Sequence, residues 1–545
     1  MTEPDAPAEP VAGSHPEGTS CVPLTRGHVV TALLSGIALA LSFPGVDLGF
    51  LAWFALVPFC LVAFRPRRRR HMVALFAAFG AGFYLTLLYW FLMMHPLTWL
   101  GFSYAESVGV VLFAWLGASL ALVIQLLAFG ALFGEVTKRW DKPGWGHVAA
   151  LALGWTGLEW LASQGPFGFT WGNMALTQVH YLPMIQVLDL VGPFPLAGLI
   201  VAFNGAVAIG ARAQAGHAWN LNHWKPVMAM VVPIVAVLAY GFARLSQPLP
   251  ATTFTVEIVQ GNIAGGDKFD KSKDAIYHMA DHYLKLTDQH PKSDLVLWPE
   301  TAMPAWMKSD MRLMGQLEHA VASQHRYLMT GTLDWTGDRP NQKFYNAVAL
   351  FDPTGHIVGF DYKRHLVPYG EYLPGRAFMP AFLGSINILA MDFTPGDKPT
   401  VFNLPFGKIG AGVCYDGIFP DAMRPVVQAG AEVLTLVTND AWYKDTTAPR
   451  VLNAHAALRA VENHRYVLRA ANTGISSIID AHGRVVASTP VYQDATLLGG
   501  AVPLTEITLY TRFGDWASQL AGLAFLGMII WPWTQRRRRH LRVAA

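Results

Sequence analysis

Three residues of this chain could together perform nucleophilic acyl chemistry. Glu300 follows the apolar run LVLW in LVLWPETAMP, Lys363 follows IVGFDY in DYKRHLVPYGEYLP, and Cys414 ends KIGAGVCYD. A thiol is mostly protonated near neutral pH and needs an adjacent base to become a nucleophile. Glu300 could take that proton. Attack of sulfur on an acyl carbonyl creates an oxyanion, which the Lys363 ammonium and backbone N–H groups could stabilise. Singly, each residue has a plainer reading: an exposed glutamate, a lysine in a solvated turn, a cysteine packed as a small hydrophobe. In this order and setting, the joint reading outweighs the three separate ones. The remaining cysteines, Cys21 and Cys60, fall in an N-terminal tail and an apolar segment, so Cys414 has no disulfide partner in its own region. The three cysteines cannot build a metal framework either.

The elements that must position these residues are short apolar runs alternating with amphipathic stretches. Strands are expected over 254–260, 295–298, 327–331, 347–351, 357–362, 409–414, 433–438 and 475–479. Helices are expected over 271–288, 309–325 and 448–470. Such alternation predicts an α/β or mixed αββα sandwich. Polar residues just after strands collect at one edge of such sheets, where Glu300, Lys363 and Cys414 all belong. Pro299 ends its strand, and Gly410, Ala411 and Gly412 permit close backbone approach before Cys414.

Only half of the chain has this character. Of 545 residues, 52% are hydrophobic and 14% charged, with a mean hydropathy of +0.30; soluble proteins carry about 25% charged residues. Residues 1–250 hold 22 charged side chains and residues 251–505 hold 47. Eight stretches are long and apolar enough to be read as membrane spans, at about 28–44, 47–64, 72–92, 106–134, 146–163, 191–211, 226–244 and 514–533. The first two are short and joined by a Pro44-Gly45 turn. Four segments, 65–70, 138–142, 212–225 and 536–542, carry fifteen Lys and Arg residues, whereas 93–105 and 164–190 carry none. The bias puts both termini and the basic loops in the cytoplasm and the segment between the seventh and eighth spans on the opposite face. The expected organisation is a disordered tail over 1–25, seven spans over 26–245, an exported α/β domain over 246–510, an eighth span over 511–535 and a basic tail over 536–545. The polar, acidic start does not read as a cleavable signal. A net charge of +3 without a basic aromatic patch argues against nucleic acid.

From about residue 253 to 500 the sequence resembles the nitrilase superfamily. The resemblance rests on PET around Glu300, FYNAVALFDPTG, YKRHLVPYGEYLP around Lys363, GVCYD around Cys414 and TNDAWY at 438–443. More narrowly, the whole chain resembles the membrane-embedded branch of that superfamily, the apolipoprotein N-acyltransferases, with GPFGFTWGNMALTQ and Glu159-Trp160 also in its style. The resemblance implies an eight-helix transmembrane bundle with an inserted nitrilase-like αββα sandwich. It implies catalytic Glu300, Lys363 and Cys414, and a thioester formed from a phospholipid and passed to the N-terminal diacylglyceryl-cysteine of an apolipoprotein. Glu300 would be the base and then the acid, Lys363 the oxyanion stabiliser, and Glu371 a second carboxylate holding Lys363. Tyr415 and Asp416 would support the site, and Phe269, Asn439 and Trp442 would shape substrate binding. Asp416 stands where this branch more usually has Glu, and Phe269 where it often has Trp. No metal and no cofactor are expected, the phospholipid being the acyl donor. The expected partners are that lipid and the lipoprotein, for a monomer in the bacterial inner membrane with its catalytic domain on the periplasmic face.

A membrane-tethered amidase that transfers the acyl group to water is the alternative; Tyr415-Asp416 favours it slightly, and the seven preceding spans argue against it. A transporter with an accessory domain would use Glu159 as its proton or substrate group, but it calls for inverted repeats that the sequence does not carry convincingly. Glu106, Glu135 and Asp189 fall near predicted helix ends, where water is close; Glu159 is less easily explained this way. Trp90, Met93, Met94, Trp99 and Trp115 read first as an interfacial aromatic belt. His365 is set aside as an acid/base group because Glu300 and Lys363 already fill those roles.

Overall fold

The computed structural model describes residues 21–65, 67–140, 142–268, 274–376 and 392–544, with side chains to 531. In the first half, α1 (Arg26–Ala40), α2 (Val57–Ala63), α3 (Arg69–Leu87), α4 (Tyr104–Thr137), α5 (Trp145–Ala162), α6 (Phe194–Gln214) and α7 (Lys225–Leu245) form a bundle. Among the described residues four stretches, rather than the eight expected from the sequence, are long and apolar enough to cross a bilayer: Arg69–Met93, Tyr104–Thr137, Phe194–Gln214 and Leu221–Leu245. Arg26–Ala40, Gly49–Ala63 and Trp516–Trp531 are shorter apolar helices. Ser103 and Glu106 form a reciprocal capping box that starts α4, which accounts for Glu106 without a membrane function. Asp189 likewise pairs with Arg244 at 3.0 Å and accepts from Tyr240.

From residue 254 the backbone folds into two mixed sheets. The first contains β1 (Phe254–Gln260), β2 (Leu295–Leu297), β3 (Met303–Trp306), β4 (Tyr327–Thr336), β5 (Lys343–Phe351), β6 (Ile357–Tyr362) and β13 (Ala495–Ala501), ordered β13-β1-β2-β4-β5-β6 with β3 beside β4. The second runs β12 (Val485–Ser488), β11 (Ser477–Ile479), β10 (Val467–Ala471), β9 (Val433–Thr438), β8 (Gly407–Val413), β7 (Val401–Leu404). Val256, Ile258, Leu297 and Val348 of the first sheet pack with Ile409, Val413, Val437 and Leu468 of the second. On the outer face of the first sheet lie α8 (Ala275–Thr287) and α9 (Met311–Gln324), through Tyr283, Leu313 and Leu317. Outside the second lie α10 (Pro420–Gln428) and α11 (Ala448–Asn463). The result is a helix-sheet-sheet-helix sandwich.

The α10 and α11 layer is continuous with the core of the bundle: Phe419, Val426, Val451 and Leu458 belong to one apolar cluster with Phe59, Phe79 and Ile185. At Gly45, with φ of 101°, a Cβ would lie 2.6 Å from Thr447, so the turn after α1 sits directly against the start of α11. The chain returns through α12 (Trp516–Ala544), which packs along α5.

Two expected elements change. The helix expected over 448–470 stops at Asn463, where His464 takes φ of 48°, and Val467–Ala471 becomes a buried strand parallel to β9. Ala-rich VLRAA carries helix propensity, but a strand slot between β9 and β11 lets it bury both faces. The strand expected over 409–414 ends at Val413, because Cys414 itself turns out of the sheet.

Candidate active site

Cys414 follows β8 with φ of 48°, a left-handed conformation costly for a residue with a Cβ, and opens a short 3-10 turn. That elbow turns the Cys414 side chain off the line of the strand. Asp416 fixes the turn. Its fully buried carboxylate accepts from the backbone N–H groups of Val413 at 3.0 Å, His365 at 2.7 Å and Arg364 at 3.2 Å. Burial pushes Asp416 upward, but its interactions with His365 and Arg364 outweigh this and hold it below the ordinary carboxylate range. Asp416 therefore ties the elbow of Cys414 to the loop of Lys363. The imidazole of His365 stacks on Phe419 at 4.4 Å and lies between Asp416 and Asp421.

Lys363 leaves β6 and is 1% exposed. Its Nζ donates to Glu371 at 2.9 Å and to Glu300 Oε1 at 3.3 Å. Burial works against its charge, yet the Glu300 and Glu371 carboxylates hold it well above the ordinary lysine value. Glu371 also accepts from the backbone N–H of Val367 at 2.8 Å. Glu300, after β2, has both oxygens engaged: Oε1 by Lys363 and by Asn346 Nδ2 at 2.7 Å, Oε2 by the backbone N–H of Asn439 at 2.8 Å. At Gly331 on β4 a Cβ would stand 2.5 Å from Pro299 O and 2.6 Å from Glu300 Cα, so only glycine lets this turn seat. Burial and the neighbouring Glu300 carboxylate push the Cys414 thiol well above its ordinary value, with Lys363 opposing. Burial and the Glu300 charge therefore both favour the neutral thiol over the thiolate.

The supporting residues behave in different ways. Tyr415 donates through its hydroxyl to Gly168 O at 3.0 Å, so it fastens the elbow to the loop after α5. Thr170 of that loop donates to Ile418 O at 2.7 Å, and Tyr372 donates to Pro166 O at 3.1 Å. Asn439 touches Glu300 with its backbone, while its side chain accepts from Asn472. Trp442 meets Trp99 edge-on at 4.8 Å, and Tyr443 meets Trp90 at 5.0 Å and Trp171 at 6.0 Å. Trp90 and Trp99 thus face the catalytic loops. Phe269 lies outside the described residues. Glu159 Oε1 accepts from Trp155 Nε1 and from the backbone N–H of Met174, bracing the start of the next turn. Among the described residues no group of three or more His, Cys, Asp or Glu side chains could hold a metal.

Sequence reasoning passed over Asn346, whose Nδ2 donates to both Glu300 at 2.7 Å and Glu371 at 2.8 Å. Its only signal was an amide interrupting the apolar strand KFYNAVALF. Lys268, whose Nζ reaches Glu300 O at 3.2 Å, was missed as well.

The two-sheet sandwich with a Glu, Lys and Cys at its strand ends defines a carbon-nitrogen hydrolase unit, and residues 255–511 match the carbon-nitrogen hydrolase family. Residues 35–206 match the apolipoprotein N-acyltransferase N-terminal domain. The chain is 33% identical over 512 residues to an apolipoprotein N-acyltransferase of Geobacter metallireducens, covering 93% of this chain and 96% of that one. It is also 33% identical over 520 residues to one of Gloeobacter violaceus, covering 94% and 96%. The chain belongs to the apolipoprotein N-acyltransferase family. A solved amidase from Nesterenkonia sp. aligns at 16% identity and a TM-score of 0.35, over 50% of this chain and 97% of that one.

Proposed function

We propose that this protein N-acylates the diacylglyceryl-modified N-terminal cysteine of apolipoproteins with an acyl chain from a membrane phospholipid, through a thioester on Cys414. The observation that carries the reading is the Lys363 ammonium held between Glu300 and Glu371 beside a thiol on a left-handed elbow. In the first half-reaction the Cys414 proton passes to Glu300 as sulfur attacks the ester carbonyl. Lys363, with backbone N–H groups, meets the oxyanion. Collapse breaks the ester bond, and the departing lysophospholipid oxygen takes the proton from Glu300. In the second, the α-amino group attacks the thioester, Glu300 removes its proton, and the thiolate leaves and is reprotonated. Splitting the transfer lets one site handle two bulky lipids in turn. The ester donor and the three side chains suffice, so the reaction takes place without a cofactor.

The protein is integral to the membrane, and we read eight helical segments as spans, with the catalytic unit on the periplasmic face of the inner membrane. The charge bias supports this orientation. So does contact: the two loops without Lys or Arg both touch the catalytic unit, one through Gly168 and Thr170, the other through Trp99 and through His95 O, which accepts from Lys444.

Intact-mass spectrometry tests the reading. The detergent-purified protein incubated with phospholipid gains an acyl adduct that hydroxylamine removes, that Cys414→Ala lacks, and that moves to the amine of a diacylglyceryl-cysteinyl peptide. An adduct that decays to free fatty acid without acylating the peptide makes the protein a hydrolase. Full activity in Cys414→Ala overturns the mechanism.

A further inference from the structure

One buried cation next to the site has no part in the chemistry above. Lys268 ends the short turn Gly265–Lys268 and is 7% exposed. Its Nζ donates to the main-chain carbonyl of Glu300 at 3.2 Å and lies 3.5 Å from Thr301 Oγ1. Among the described residues it forms no ion pair, and the Glu300 carboxylate acts on it through space. Burying an ammonium is costly unless its donors are used, and here they are used by the main chain and hydroxyl just beyond Glu300.

That feature is the backbone immediately beyond Glu300. Thr301 adopts φ of 45°; for a β-branched residue this left-handed conformation is a genuine outlier that the surroundings must hold in place. Lys268 grips it from both sides, through the carbonyl before Thr301 and through the Thr301 hydroxyl. The same turn faces the bundle: Trp99 lies 3.6 Å from where a Cβ would stand on either Gly265 or Gly266, and it also packs on Trp442. A continuous set of contacts therefore runs from the loop before α4, through Lys268, to the backbone that aims Glu300.

We propose that Lys268 is a positioning residue for Glu300: it pins the strained Glu300-Thr301 peptide and supplies a buried positive charge beside the base. This rests on the reading of Glu300 as the proton acceptor for Cys414. The charge favours the carboxylate form of Glu300, and the grip fixes the direction in which that carboxylate faces the thiol. Burial lowers Lys268 itself to about 7, with the Glu300 carboxylate pulling the other way.

The test is the pH dependence of acyl-enzyme formation at Cys414, followed by intact mass in the full-length protein with phospholipid. Lys268→Met, which keeps the length and removes the charge, forms the adduct about tenfold more slowly or worse. Its acidic limb moves to higher pH by roughly half a unit or more, because a carboxylate deprived of a nearby cation ionises later. Lys268→Gln, which retains a donor without charge, recovers part of the rate and still shows the displaced limb; Lys268→Arg keeps the wild-type limb. A merely structural lysine would slow the reaction without moving the limb, and that result in Lys268→Met or Lys268→Gln overturns the proposal, as does a wild-type rate. If Lys268→Met does not fold, Lys268→Gln alone decides by the position of its limb. Failure of the underlying reading is separate: there, Glu300→Gln leaves adduct formation intact, or the wild-type protein forms no adduct.

Discussion

Asn346→Ala removes a side chain that, like Lys363, bridges the Glu300 and Glu371 carboxylates. Asn346 is 4% exposed, and its Nδ2 donates to Glu300 at 2.7 Å and to Glu371 at 2.8 Å. Hydrogen bonds to charged groups contribute about 1.5–3 kcal/mol each, so the pair is worth about 3–6 kcal/mol at most. Lys363 still reaches both carboxylates after truncation, and the resting site loses the bonds as well as the transition state. Only the share that holds the Glu300 carboxylate in place and keeps Lys363 centred reaches the rate. Half of the lower bound to half of the upper, about 1.5–3 kcal/mol, corresponds to a ~10- to 150-fold slower acylation of Cys414. A time course of acyl-enzyme mass measures it directly. Asn346→Asp is expected to be worse than Asn346→Ala, because a third carboxylate then crowds one ammonium. Asn346→Ala acylating at the wild-type rate would refute the view that the bridge organises the site, and Asn346→Asp outperforming Asn346→Ala would refute its electrostatic basis.

Gly331→Ala is expected to reduce acyl-enzyme formation by ~100-fold or more, since the added Cβ would meet Pro299 O at 2.5 Å and Glu300 Cα at 2.6 Å and a displacement of about 1 Å in a catalytic group costs about that much; normal turnover would show that the turn has slack. Alkylation of Cys414 by a small reagent in the ligand-free protein should keep rising with pH through 9 with no plateau, because burial and Glu300 hold the thiol protonated well beyond its ordinary range; a plateau below pH 8 would mean a preformed thiolate. The Asp416→Ala protein should still be acylated but be less stable, since buried N–H groups of Val413, His365 and Arg364 lose their acceptor; a melting midpoint equal to wild type would remove Asp416 from this role.

The sequence alone placed Glu300, Lys363 and Cys414 just after apolar runs, and the structure puts each at or just beyond a strand end; strand ends are local features that pattern and proline make readable. Tertiary structure decided which groups bind which. Asn346 sits mid-strand and becomes an active-site residue only because antiparallel β5 and β6 set it against Lys363, whose backbone N–H donates to Asn346 O. Asp416 looked like a shortened family carboxylate. The fold turns it instead into an acceptor for backbone donors that come from two separate loops. Asn439 acts through its N–H, which no residue identity reveals. Residues 467–470 read as helix because propensity is local, whereas the slot between β9 and β11 is not. Lys268 was illegible for the same reason: the lysine that ends Gly265-Gly266-Asp267-Lys268 gives no sign that the backbone of residue 300, distant in sequence, will fold against its ammonium. Contacts of this kind depend on packing between distant segments, and the free energy that fixes them belongs to the assembled fold.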